Sequence, residues 1–86
     1  IRMDATLSRK ALEEALKAAG YAHHDYEQNA LGGTRDELWA GFYGAYVLGR
    51  LGDFVTTSVL VGLLEDAPGD GDWAVSAAEY ILDNLR

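Results

Sequence analysis

Between Leu38 and Leu51 the chain reads LWAGFYGAYVLGRL, a stretch that is apolar almost all the way round a helix. Such an element is stable only when neighbours cover most of its circumference, because an apolar face left in water forfeits the burial that drives folding. A chain of 86 residues is long enough for one hydrophobic core and too short for two. The segment therefore belongs at the centre of a single domain, with other helices packed around it. Gly41, Gly44 and Gly49 lie inside it, and each costs about 1 kcal/mol relative to alanine in a helix. Close approach of another backbone would offset that cost. The spacings Ala40 to Gly44 and Gly41 to Ala45 offer alternative notches for it.

The rest of the chain supplies the neighbours. From Leu12, the residues Leu16, Ala19, His23, Tyr26 and Ala30 follow in alternating helical steps that trace one face. Thr6 or Ser8 can cap this first helix, Gly20 weakens its middle and Gly32-Gly33 ends it. Thr34-Arg35-Asp36-Glu37 reads as a capping box that starts the second helix. Thr56 or Thr57 caps a short third helix with Val59, Leu60, Leu63 and Leu64 on one face, stopped by Pro68-Gly69. Asp70 or Asp72 caps a fourth, which buries Ala74, Ala77, Ala78, Ile81, Leu82 and Leu85. The β-branched runs at Val47-Leu48 and Val59 to Val61 are too short for strands and fall within helical periodicity. The expected fold is all-α: one domain over 1–86, a four-helix bundle of two helical hairpins, the first longer, with helices at about 7–31, 35–51, 57–67 and 71–85.

The second and fourth helices echo each other. Asp36, Trp39, Ala40, Tyr46, Val47, Leu48 and Leu51 recur at an offset of 34 as Asp70, Trp73, Ala74, Tyr80, Ile81, Leu82 and Leu85. Duplication and a shared packing role both account for this, and two copies are too few for a solenoid. Either origin places Trp39 and Trp73 near the helix starts, with Tyr46 and Tyr80 two turns further along the same faces.

Composition narrows the function. With 14 acidic residues against 7 basic ones and a net charge of -7, the chain repels phosphate backbones and anionic headgroups, so neither nucleic acid nor membrane is an expected partner. An acidic decoy that occupies a DNA-binding protein is a further use of such a charge. The chain has no cysteine, which removes disulfides, thiol nucleophiles and thiolate metal ligands and makes the cytoplasm the default compartment. Nothing resembles a signal peptide or approaches the roughly 18 apolar residues of a membrane span.

Chemistry concentrates at one place. His23 and Glu27 are four apart on one helix face beside His24. A metal would need a third or fourth donor from Asp25, Asp36 or Glu37. His23, His24 and Glu27 are thus only weak metal candidates, and no cofactor is implied. His23 on the apolar stripe is expected to be half-buried and hydrogen-bonded to Glu27 or a tyrosine hydroxyl. Tyr21, Tyr26, Tyr43, Tyr46 and Tyr80 supply more hydroxyls than so small a core needs, either at its edge or lining a pocket. Ser8, Ser58 and Ser76 sit in cap or helix positions without a nucleophile motif. Gly32-Gly33-Thr34 reads as a turn rather than a phosphate loop, and Asp66, Asp70 and Asp72 lack calcium-loop spacing.

The segment Ala22-His23-His24-Asp25-Tyr26-Glu27, then Leu31-Gly32-Gly33, Asp36-Glu37, Trp39, Phe42-Tyr43 and Tyr46, resembles a pattern in short uncharacterised bacterial all-helical proteins. That pattern is A-H-x-x-Y-E, a glycine turn, then D-E-x-W-x-x-aromatic-Y-x-x-Y. Phe42 stands where tryptophan is expected. The resemblance covers about the central third of the chain and implies a small helical domain, with no catalytic residue carried over.

Together these readings make His23, Glu27, Tyr26, Asp36, Trp39 and Tyr43 the candidate ligand-binding residues, with no catalytic set. The favoured function is a non-enzymatic accessory or protein-interaction domain that pairs with itself or another protein, because small domains hide surplus apolar surface by association. The alternative is a small-molecule- or metal-binding domain centred on His23 and Glu27.

Overall fold

The stripe that begins at Leu12 becomes the inner face of the longest helix. The computed structural model describes residues 8–33, 36–69 and 71–85. These form helices α1 (Arg9–Asn29), α2 (Trp39–Leu51), α3 (Thr57–Asp66) and α4 (Trp73–Leu85), with no strand among the described residues. Backbone contacts join α1 to α2, α2 to α3, α3 to α4 and α4 to α1, whereas the diagonal pairs make none among the described residues. The fold is a four-helix bundle of two hairpins, and the first is the longer. No helix among the described residues is long and apolar enough to cross a membrane.

Local chemistry sets most of the helix starts. Ser8 caps α1, its hydroxyl accepting the Ala11 N–H at 3.0 Å, while Thr6 lies outside the described residues. Thr56 caps α3 through the Val59 N–H at 3.3 Å. Asp72 accepts the Ala74 N–H at 3.2 Å to start α4, and Asp70 lies outside the described residues. Each cap satisfies a backbone donor that the first helical turn leaves unpaired.

The start of α2 departs from expectation. The capping box at 34–37 predicts a helix from residue 35, yet α2 begins at Trp39 and Leu38 offers it no side-chain cap. Thr34 and Arg35 lie outside the described residues. The reason is tertiary. Glu27 of α1 takes the Asp36 N–H at 2.7 Å, and the Asp36 carboxylate takes the Leu38 N–H at 2.9 Å. These bonds hold residues 36–38 in a turn that precedes the helix. At the other end of this connection Gly32 and Gly33 adopt φ of +63° and +87°, left-handed backbone that a side chain would strain.

Leu12, Leu16, Val47, Leu60, Leu64 and Ile81 are the largest fully buried side chains, joined by Ala15, Ala40, Ala74, Ala77 and Ala78. The echo between α2 and α4 is an echo of burial. Ala40 and Ala74, Gly44 and Ala78, and Val47 and Ile81 are buried in pairs at the offset of 34. Trp39 and Trp73 meet edge to face across the bundle, with ring centroids 6.0 Å apart at 77°. Tyr46 and Tyr80 are half-buried on the corresponding faces. At the solvent edge the half-exposed Arg9 pairs with the buried Glu13 on its own helix and with the exposed Glu79 of α4 at 3.6 and 3.5 Å; the link to Glu79, solvated at both ends, is worth under about 1 kcal/mol.

The two glycine notches have different outcomes. Ala40 and Gly44 face inward, whereas Gly41 and Ala45 are exposed. A Cβ at Gly44 would sit 3.2 Å from Val61 Cγ2 of α3, while at Gly41 or Gly49 it would meet nothing within 4 Å. Gly49→Ala is therefore expected to raise stability by about 1 kcal/mol through helix propensity alone. Gly44→Ala should gain less, since Val61 must yield to the new methyl group. Urea denaturation of the two variants checks this; an equal gain at both positions would contradict the notch.

Candidate functional site

The site is built where α1, the α1–α2 connection and the first turns of α2 converge. His23 lies one turn before Glu27 on the inner face of α1, so both side chains point toward the connection that leads into α2. Asp36 arrives from that connection. Its carboxylate can only accept, so His23 Nε2–H donates to Asp36 Oδ2 at 3.0 Å. Glu27 Oε2 lies 3.8 Å from the same nitrogen while it holds the Asp36 backbone N–H. The result is a latch of three side chains in which each carboxylate also satisfies a backbone donor.

Aromatic rings enclose the latch. Phe42 packs edge-on against His23 at 5.0 Å and Tyr43 lies 5.3 Å from it. Trp39, Tyr43 and Trp73 meet pairwise close to right angles, at 87°, 86° and 77°, the edge-to-face geometry that ring quadrupoles favour. Gly20 makes room for Tyr43, whose hydroxyl lies 3.3 Å from where a Cβ on that glycine would stand.

His23, Glu27, Asp36, Trp39 and Tyr43 together line an open pocket of about 200 Å³. Burial, and then the charge of Glu27, push the Tyr43 phenol above its ordinary value of 10.0. Its hydroxyl therefore stays protonated at physiological pH and is available as a donor. Nothing in comparison with known protein families, characterised proteins or solved structures matches this chain. The pocket has to be interpreted from its own chemistry.

Five of the six candidate ligand-binding residues thus share one cavity. The sixth, Tyr26, is 39% exposed and does not line it, although its ring lies 6.5 Å from His23 and 5.3 Å from Phe42. The weak metal candidates do not come together, since His24 is exposed and Asp25 bonds Asn29 at 2.6 Å on the outer surface. No group of three or more histidine, aspartate or glutamate side chains among the described residues is arranged to hold a metal ion.

Sequence reasoning missed Phe42, which covers the imidazole, and Trp73, which backs Trp39 and Tyr43. The repeat offset held a signal for Trp73, because a bundle that sets α2 and α4 diagonally brings equivalent positions near the helix starts together. Phe42 carried only the aromatic position of the resemblance pattern, which assigns it no role, and is otherwise one of several aromatic residues on an apolar helix.

Proposed function

We propose that the chain is a small non-enzymatic ligand-binding domain whose site is the pocket between α1 and α2. The observation that carries this reading is the convergence of His23, Glu27, Asp36, Trp39 and Tyr43 on one open cavity of about 200 Å³. A purely structural latch needs the hydrogen bonds but not the space. Polar groups converging beside aromatic walls are the general signature of a small-molecule site. A binding role fits better than catalysis because His23, Glu27 and Asp36 are engaged with each other and with backbone N–H groups. The Ser8 hydroxyl is spent on a helix cap.

The test is a thermal-shift screen of small cations, anions and neutral polar molecules, read alongside tryptophan fluorescence. At least one class is expected to raise the melting temperature and perturb the emission of Trp39, and both effects should vanish in Tyr43→Ala. Stabilisation that survives Tyr43→Ala, or none from any class, refutes the reading.

A second reading, self-association, draws support from Leu38 and Tyr21, which are 80% and 82% exposed. Large apolar side chains so exposed are suited to pairing with a second copy. Light scattering at micromolar concentration should then give a dimer that Leu38→Glu converts to a monomer; a monomeric parent chain ends this reading.

A further inference from the structure

We infer that the junction pocket binds a small organic ammonium ion, held between the carboxylates of Glu27 and Asp36 and the rings of Trp39 and Tyr43. The inference rests on the reading of this pocket as a ligand site and specifies the chemistry of its ligand.

Charge comes first. Glu27 and Asp36 have side chains only 23% and 13% exposed, and no lysine or arginine among the described residues pairs with either. Among the described residues their one side-chain partner is the imidazole of His23. Two carboxylates taken largely out of water beside one another favour a cation more strongly than they would in solvent. Glu27 also has capacity to spare. Its Oε2 holds the Asp36 N–H, and its Oε1 has no hydrogen-bond partner among the described residues. The ammonium N–H of ethanolamine or the hydroxyl of choline can donate to that oxygen, and the charge of a quaternary ammonium is drawn to the carboxylate without a hydrogen bond.

The walls narrow the class further. Trp39 and Tyr43 stand at 87° with centroids 5.5 Å apart, two walls of a corner whose third side is the carboxylates. Aromatic corners of this kind attract organic cations through the ring quadrupole, tryptophan most strongly. A bare metal ion is a poorer fit, because the acidic and imidazole groups are not arranged as a ligand set. Anions meet two carboxylates at the pocket, and a neutral molecule leaves their charge uncompensated. Size sets the upper bound. About 200 Å³ is below the roughly 300–1,000 Å³ of sites for drug-sized ligands, so the cation is of the order of choline or ethanolamine.

Isothermal titration calorimetry of the full chain with four probes decides the matter: choline, ethanolamine, acetate and 3,3-dimethylbutan-1-ol, the neutral isostere of choline. Both cations are expected to bind, with the neutral isostere and acetate at least tenfold weaker. Glu27→Gln should weaken choline at least tenfold while it leaves the melting temperature nearly unchanged, because the glutamine carbonyl can still accept the Asp36 N–H. Trp39→Phe, which keeps a ring but a weaker quadrupole, should weaken choline by a smaller factor. Equal binding of the neutral isostere, preference for acetate, or an unchanged choline affinity in Glu27→Gln overturns the assignment of the cation. In the first two cases the pocket remains a ligand site. If none of the four probes binds and the wider screen is also silent, both readings fall together.

Discussion

Leu16→Ala is expected to lower the stability of the folded chain by about 2–5 kcal/mol, the range for deleting a buried leucine side chain and leaving a partly collapsed cavity. Leu16 is 1% exposed and belongs to the cluster that joins α1 to the other helices. Native stability runs at roughly 0.05–0.15 kcal/mol per residue, so for a chain of 86 residues this one truncation removes a large share of the total. In a domain of this size each kcal/mol shifts the melting temperature by about 4–8 °C, which puts the expected fall at about 10 °C or more. Val59→Ala is the matched comparison: Val59 is 47% exposed on α3, and its truncation should change stability by less than about 0.5 kcal/mol. Calorimetry on the two variants measures both. A small effect at Leu16 would mean that α1 does not pack as described.

Periodicity placed Leu16 in the core, but it also put Val59 on the apolar face of the third helix, where the structure leaves it exposed; most of the architecture was nonetheless readable. Four apolar stripes separated by Gly32-Gly33, Gly52-Asp53 and Pro68-Gly69 leave little choice but four helices. Ser8, Thr56 and Asp72 act within three residues of themselves, which is why local rules located their helix starts. The start of α2 was not legible in the same way, because Glu27, nine residues away on another helix, claims the Asp36 N–H. Neither could spacing choose between the two glycine notches, since both fit a helix face and only the position of Val61 favours Gly44. The same distinction governs the site. His23 and Glu27 are neighbours by helical geometry alone. Asp36 joins them because the connection after Gly32-Gly33 folds back, and the pocket exists only once Trp39 and Tyr43 are fixed beside it.

Asp36 is where the fold and the site depend on the same atoms, and its substitution should show both. Its Oδ1 accepts the Leu38 N–H and its Oδ2 accepts His23 Nε2–H. Asp36→Ala removes both bonds, leaving the His23 donor unpaired in a residue only 8% exposed. Hydrogen bonds to charged groups contribute about 1.5–3 kcal/mol, and the partial exposure of the Leu38 partner reduces its share. A loss of about 2–3 kcal/mol follows. Asp36→Asn should cost less, about 1 kcal/mol, because the amide oxygen can still accept from Leu38 while its N–H₂ donates to His23 Nε2 in the opposite tautomer. Asn thereby spares the latch while it removes one of the two carboxylates. The two variants separate the roles of this residue when urea denaturation is read together with choline titration. Asp36→Asn should retain most of the stability and lose much of the affinity, whereas Asp36→Ala should lose both. If Asn proves as destabilising as Ala, the latch depends on charge rather than on hydrogen bonding; if Asn binds choline as tightly as Asp, the charge of Asp36 has no part in the site.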